Sequence, residues 1–174
     1  MSTDSSNWGR EIEELLNQIR KNSNILEDYH KQKYFTVKKI SVYYKLPIIV
    51  LSSVNGLIAL SLNQYINQNL VSGINAGISF IISTLSSIAL YLKVEQRMEV
   101  ELELSQKYHK LSINIFKILS LRADSRGCDG DIFLQSCFSE YLQLFEQSSL
   151  IDIEFKDELK QKVDDIDLGI SIKE

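Results

Sequence analysis

Charge is missing from the middle of this chain. Between Lys45 and Lys93 there is no Asp, Glu, Lys, Arg or His, a gap of 47 residues, 46–92, in a sequence that is 24% charged overall. A water-soluble fold of this size does not leave so long a stretch without a solvated charge. Helix breakers are scarce too, with one proline and seven glycines, so the chain reads as nearly all helix. The two cysteines, Cys128 and Cys137, and the two histidines, His30 and His109, are too few for a thiolate or imidazole metal cage. No phosphate-cradling glycine loop, HExxH, CxxC or G-x-S-x-G is present. These absences point away from metal, nucleotide and nucleophile chemistry, and the expectation is a protein without enzymatic activity, catalytic residues or cofactor. No Asn-x-Ser/Thr sequon occurs either.

What fills the gap is apolar. Leu46–Leu62 (LPIIVLSSVNGLIALSL) and Ile74–Leu92 (INAGISFIISTLSSIALYL) flank a polar, uncharged turn, Asn63–Gly73 (NQYINQNLVSG). A bilayer takes roughly 20 predominantly apolar residues per helical span. The expectation is an all-α membrane protein built on a transmembrane helical hairpin, with spans at 46–64 and 73–92 joined by the turn 63–73. Long antiparallel cytosolic helices extend the hairpin, and one or two short C-terminal helices follow. A mean hydropathy of −0.08 averages these spans against long polar flanks. The first span begins too far into the chain for an ordinary cleaved signal peptide, so it is expected to be a retained anchor.

Lys and Arg set the expected orientation. Lys31, Lys33, Lys38, Lys39 and Lys45 precede the first span, and Lys93, Arg97, Lys107 and Lys110 follow the second, while the turn has no charge. By the positive-inside rule both termini face the cytosol and the turn lies on the far side. The same basic run would suit anionic lipid, but topology and pairing with the Glu95–Glu103 arm explain it sufficiently. Tyr43, Tyr44, Tyr65 and Tyr91 sit where an aromatic belt would place them. Residues 1–45 carry eight Lys/Arg against six Asp/Glu, whereas residues 93–174 carry eleven against seventeen. The two flanks should attract each other, and the acidic surplus argues against nucleic acid as a partner.

The N-terminal arm, 1–45, has apolar residues at Trp8, Ile12, Leu15, Ile19, Leu26, Tyr29, Val37, Ile40 and Tyr44, one helical stripe. Asn22-Ser23-Asn24 could break it, and Pro47 should start or kink a helix. After the second span a stripe through Val94, Met98, Leu102, Tyr108, Leu111, Ile115 and Ile118 predicts that the span runs on through 93–122 as one rod of about 45 residues. The segment 123–163 is expected to hold a turn-rich loop, Ala123–Gly130, a helix over 131–147 with Asp131 as cap and Phe133, Cys137, Tyr141 and Leu144 on one face, and a short acidic helix over 152–163. Residues 164–174 read as a flexible acidic tail. Asp124, Asp129 and Asp131 lack the alternating ligands and closing Glu of a calcium loop, and the cytosolic cysteines are expected to be reduced.

Levelling Lys45 with Lys93 sets a register in which residue n faces residue 138 − n. Lys38 and Lys39 then meet Glu99 and Glu101, and Glu13 and Glu14 approach Arg122 and Arg126. These pairs would select the register of the arms more than stabilise them. Inside the bilayer Ser52, Asn55, Gly56 and Ala59 form one face of the first span, and Ala76, Ser79, Ser83, Ser86 and Ser87 one face of the second. Small residues permit close approach, and hydroxyls or amides can bond across it. A structural seam is the simpler role for these faces. A polar path through an oligomeric pore is the sharper one, though no intramembrane charge marks an ion route. Gly73-x-x-x-Gly77 is better explained as a loop glycine than as a helix-contact motif.

Tyr43–Leu60 (YYKLPIIVLSSVNGLIAL) resembles the Pro-led first span of two-transmembrane proteins of nucleocytoplasmic giant DNA viruses. Ala89–Glu103 (ALYLKVEQRMEVELE) with Leu111–Arg122 (LSINIFKILSLR) resembles the exit helix of the same group. These in turn are similar to the SLATT domains of bacterial conflict systems, which pair two spans with a cytosolic helix and are thought to form pores. The resemblance covers about residues 8–148 and supplies no catalytic residue. This chain shows no sensor or nucleotide-signalling domain of the kind that accompanies such effectors. The resemblance therefore implies a viral membrane protein of the virion or infected cell. The function expected is a structural or interaction anchor whose cytosolic helical stalk docks an unknown protein partner or self-associates. A SLATT-like oligomeric pore or membrane-perturbing effector is the alternative.

Overall fold

The computed structural model describes residues 8–61 and 67–148, and every regular element in them is helical. Helix α1 spans Arg10–Ser61, α2 Gln68–Tyr91, α3 Val94–Leu119 and α4 Gly130–Gln147, with a single 3₁₀ turn at Ala123–Ser125. The expected helix over 152–163, the tail 164–174 and residues 63–66 of the expected turn lie outside the described residues. Two compact units divide the chain, one containing Leu102 onward together with the N-terminal segment up to Lys31, the other Gln32–Glu101.

In the first unit, the beginning of α1, the end of α3 and α4 share one core. Leu16, Ile19, Leu26, Tyr108, Leu111, Ile115, Cys137 and Tyr141 are all almost completely buried there. The Asn22-Ser23-Asn24 triplet does not break α1. Asn22 and Ser23 are buried on its inner face. The Ser23 hydroxyl donates back to the Ile19 carbonyl at 2.8 Å, which satisfies it inside the helix. The Asn22 amide approaches the Tyr141 hydroxyl at 3.5 Å, and Ser112 donates to the Asn24 side chain at 2.5 Å. Polar residues thus continue the inner stripe where the apolar pattern lapses.

The loop before α4 is fixed by Arg126. Its guanidinium pairs with Glu13 at 2.5 Å, donates to the Leu121 carbonyl at 3.0 Å and lies 4.4 Å from the centre of the Trp8 ring. The Trp8 indole N–H donates to the Cys128 carbonyl at 3.1 Å. Asp129, not Asp131, caps α4, its carboxylate accepting from the Asp131 and Ile132 amides. That leaves Asp131 in the first turn, where a negative charge suits the helix dipole.

In the second unit, α1 continues through Pro47 without ending. The second helix starts at Gln68, five residues before the expected 73, because the Asn67 side chain accepts from the Asn69 amide and caps it. The expected continuous rod is interrupted. Lys93 has φ of 49°, a left-handed conformation that costs a side-chain-bearing residue about 1–2 kcal/mol, and it separates α2 from α3. Here the Lys93 amide bonds to the Leu90 carbonyl, a tightened turn, and the helical ladder resumes with Arg97 to Lys93. The apolar periodicity carried no sign of this break, because Leu92 and Val94 continue the stripe across it.

Candidate membrane interface

Residues of the uncharged region pack little. In the most apolar 18-residue window of α1 no residue is buried, and in the window of the following helices 6% are. Leu60 and Leu90 are each 80% exposed and Phe80 74%. Leu46, Ile49, Val50, Leu57 and Ile81 are exposed as well. The structure thus has two helical stretches long and apolar enough to cross a bilayer, with their apolar side chains turned outward.

Each stretch has one less exposed side. On α1 it carries Ser41, Tyr44, Ile48, Leu51, Asn55 and Ile58, and on α2 Val71, Asn75, Ile78, Ile82, Leu85 and Ala89. Spacings of three and four make each a continuous stripe. A hydrogen bond joins them. The Asn55 amide nitrogen donates to the Ser79 hydroxyl at 3.2 Å. At the other end of the apolar region Lys45 pairs with Glu95 at 2.6 Å. The Lys45 ammonium, by its hydrogen bond and charge, holds the Glu95 carboxyl below its usual range.

Of the small and polar residues singled out in the sequence, the structure brings Asn55 and Ser79 together. Ser52, Gly56, Ala59, Ala76, Ser83, Ser86 and Ser87 are exposed in the single chain. A side chain built at Gly56, Gly73 or Gly77 would meet nothing within 4 Å, so no close approach in this unit depends on those glycines. Mostly larger apolar residues fill the less exposed stripes. The amide oxygens of Asn55 and Asn75 are buried and have no hydrogen-bond partner.

Among the charged arms, Lys38 and Lys39 are exposed, and the Lys38 ammonium lies 5.6 Å from the Tyr34 ring of its own helix. Glu99 is exposed and Glu101 buried. Lys45–Glu95, closer to the apolar segments, is an ion pair that the register did not single out. Of the pairings expected farther along the arms, Glu13 with Arg126 is formed.

The two histidines have separate surroundings. His30 is fully buried, stacked on Tyr108 with ring centroids 5.6 Å apart, and 3.1 Å from the Ser148 hydroxyl. Burial pushes the Tyr108 phenol up, an effect opposed by its contact with Ser148. His109 is exposed and pairs with Glu27 at 3.0 Å. Periodicity could not reveal His30, since a lone histidine on a helix is as compatible with a solvated face as with a core. Among the described residues no group of three or more His, Cys, Asp or Glu side chains could hold a metal ion.

Comparison with known proteins gives one informative similarity. The chain is 20% identical over 146 residues, 84% of its own length and 75% of the relative's, to the uncharacterized protein VP11 of Micromonas pusilla reovirus (isolate Netherlands/2005). No family model matches, and no solved structure matches. The similarity supports a viral origin. The relative comes from a reovirus, whereas the sequence resemblance named giant DNA viruses.

Proposed function

We propose that the protein is a non-enzymatic integral membrane anchor of viral origin. Its uncharged middle forms two antiparallel spans, both termini face the cytosol, and the helical unit built by α4 with the outer parts of α1 and α3 engages a protein partner there. One observation carries this reading: the long apolar stretches of α1 and α2 expose their side chains instead of burying them. The core helix of a soluble protein would do the reverse. Leaving such a surface in water would be costly at about 25 cal/mol per Å² of apolar area, and hydrocarbon removes that cost. Both stretches stay helical over their described parts, with Pro47 near one end of the first, and continuous helix suits lipid, where every backbone polar group needs an internal partner. Lys45, Lys93 and Tyr91 then fall at one interface, as anchoring residues should.

A second reading is a homo-oligomeric, SLATT-like pore. It is favoured by the exposed Ser83 and Ser87, whose hydroxyls a neighbouring copy could bond. The Asn55–Ser79 bond within one chain favours the anchor.

Alkaline extraction and dye release from liposomes separate these readings. An anchor resists extraction and releases no dye. A pore resists extraction and releases dye. Complete extraction into the aqueous phase rejects both.

A further inference from the structure

Where the apolar region meets the charged arms, the second unit has a cleft of about 410 Å³. One wall is apolar, made by Ile48, Ala89, Leu90 and Val94, and the rim carries Tyr44, Lys45 and Lys93. That volume is within the range of small-molecule sites, about 300–1,000 Å³. The two rim lysines differ. Lys45 is committed to Glu95, whereas among the described residues Lys93 has no ion-pair partner. Lys93 is also the residue with positive φ, in the turn that divides α2 from α3. A non-glycine residue is thus kept in a strained conformation on the rim of an amphiphilic cleft, with its charge uncompensated.

We propose that this cleft binds the headgroup of an anionic phospholipid, with the phosphate diester against the Lys93 ammonium and the Tyr44 hydroxyl and the glycerol and upper acyl carbons along Ile48, Ala89 and Leu90. Charge and wetting argue for this occupant together. With Lys45 and Glu95 cancelling, the rim has one net positive charge, which one phosphate diester neutralises. The apolar wall on the side of the spans fits an acyl chain and has nothing to offer a free inorganic ion. A zwitterionic headgroup would bring its own cation to a rim that already has Lys93.

The inference rests on the membrane-anchor reading, and the test separates the two. The full chain is reconstituted in vesicles of phosphatidylcholine mixed with phosphatidylglycerol, its insertion is measured by flotation, and the lipid that stays bound on release is counted by native mass spectrometry. Wild type should retain phosphatidylglycerol in preference to phosphatidylcholine. Lys93→Asn keeps a residue tolerant of the left-handed turn but removes the charge, and should lower that retention roughly fivefold, the factor expected for one lysine beside anionic lipid. Lys39→Asn, on the basic arm of α1 and outside the cleft, should leave retention unchanged. Equal retention by wild type and Lys93→Asn overturns the proposal, as does an equal fall in Lys39→Asn, which would indicate only general charge attraction. Displacement of the lipid by inorganic phosphate would assign the rim to a free anion and also overturn it. Flotation with no lipid preference rejects the lipid site alone. Failure to float rejects the anchor and the lipid site together.

Discussion

The Asn55 side chain donates a hydrogen bond to the Ser79 hydroxyl between two stretches of chain that otherwise expose apolar surface. In water such a bond would compete with solvent and contribute little. In hydrocarbon there is no solvent to compete, yet measured side-chain bonds between membrane helices average only about 0.6 kcal/mol. Asn55 also leaves its amide oxygen buried and unpartnered, which offsets part of that gain.

Replacing Asn55 by Leu is therefore expected to be nearly neutral in bilayers, within about 1 kcal/mol of wild type. Reversible unfolding in mixed micelles checks this. A larger loss would mean that Asn55 bonds to a second copy, and the anchor reading would then yield to the pore.

Arg126 should be far more sensitive. It is buried, paired with Glu13, bonded to the Leu121 carbonyl and stacked on Trp8. Arg126→Ala leaves the Glu13 carboxylate and the loop carbonyl without this donor and removes the support under Trp8. A loss of about 2–4 kcal/mol is expected, read as a lowered melting temperature by circular dichroism. Arg126→Lys should recover only part of it, because an ammonium cannot serve the carboxylate, the carbonyl and the ring at once.

The cysteines should differ in reactivity. Cys137 is almost fully buried, and burial pushes its thiol up to about 12, with the nearby Glu140 charge adding to the shift. Cys128 is only half-buried. A maleimide at neutral pH should label Cys128 well before Cys137. The sign for stability follows from the raised value. Both states keep the Cys137 proton below about pH 8.5, the ordinary thiol range, and this stability is fully present there. Above it the unfolded chain ionises first, so stability falls between that pH and about 12. Cys137→Ser should flatten this alkaline decline in a pH series of melts.

Much of this architecture is readable from residue pattern alone, because its signals are one-dimensional. A 47-residue gap in charge and a 3.6-residue stripe need no tertiary knowledge, and the inner face of α4, Cys137, Tyr141 and Leu144, follows from spacing. The buried polar residues were not readable. Asn22, Ser23 and His30 interrupt an apolar stripe in sequence yet complete it in space, because their partners come from residues about 80–120 positions away or from their own preceding turn. The left-handed Lys93 was equally silent, since no glycine or asparagine marks the turn. In the uncharged segment the small residues suggested a close seam, whereas the less exposed stripes use Ile48, Leu51, Ile78 and Leu85. Where every residue is compatible with lipid, composition does not say which side meets the other helix.

The central claim is that residues 46–92 enter the bilayer and turn back. Single-cysteine topology tests it most directly. In a Cys128→Ser, Cys137→Ser background, cysteines placed at residue 39, at residue 65 and at residue 110 are exposed to an impermeant maleimide in sealed microsomes, before and after permeabilisation. The account predicts that positions 39 and 110 react in intact vesicles and that position 65 reacts only once the membrane is opened. Reaction of 39 and 110 from opposite faces, or of all three in intact vesicles, would contradict it.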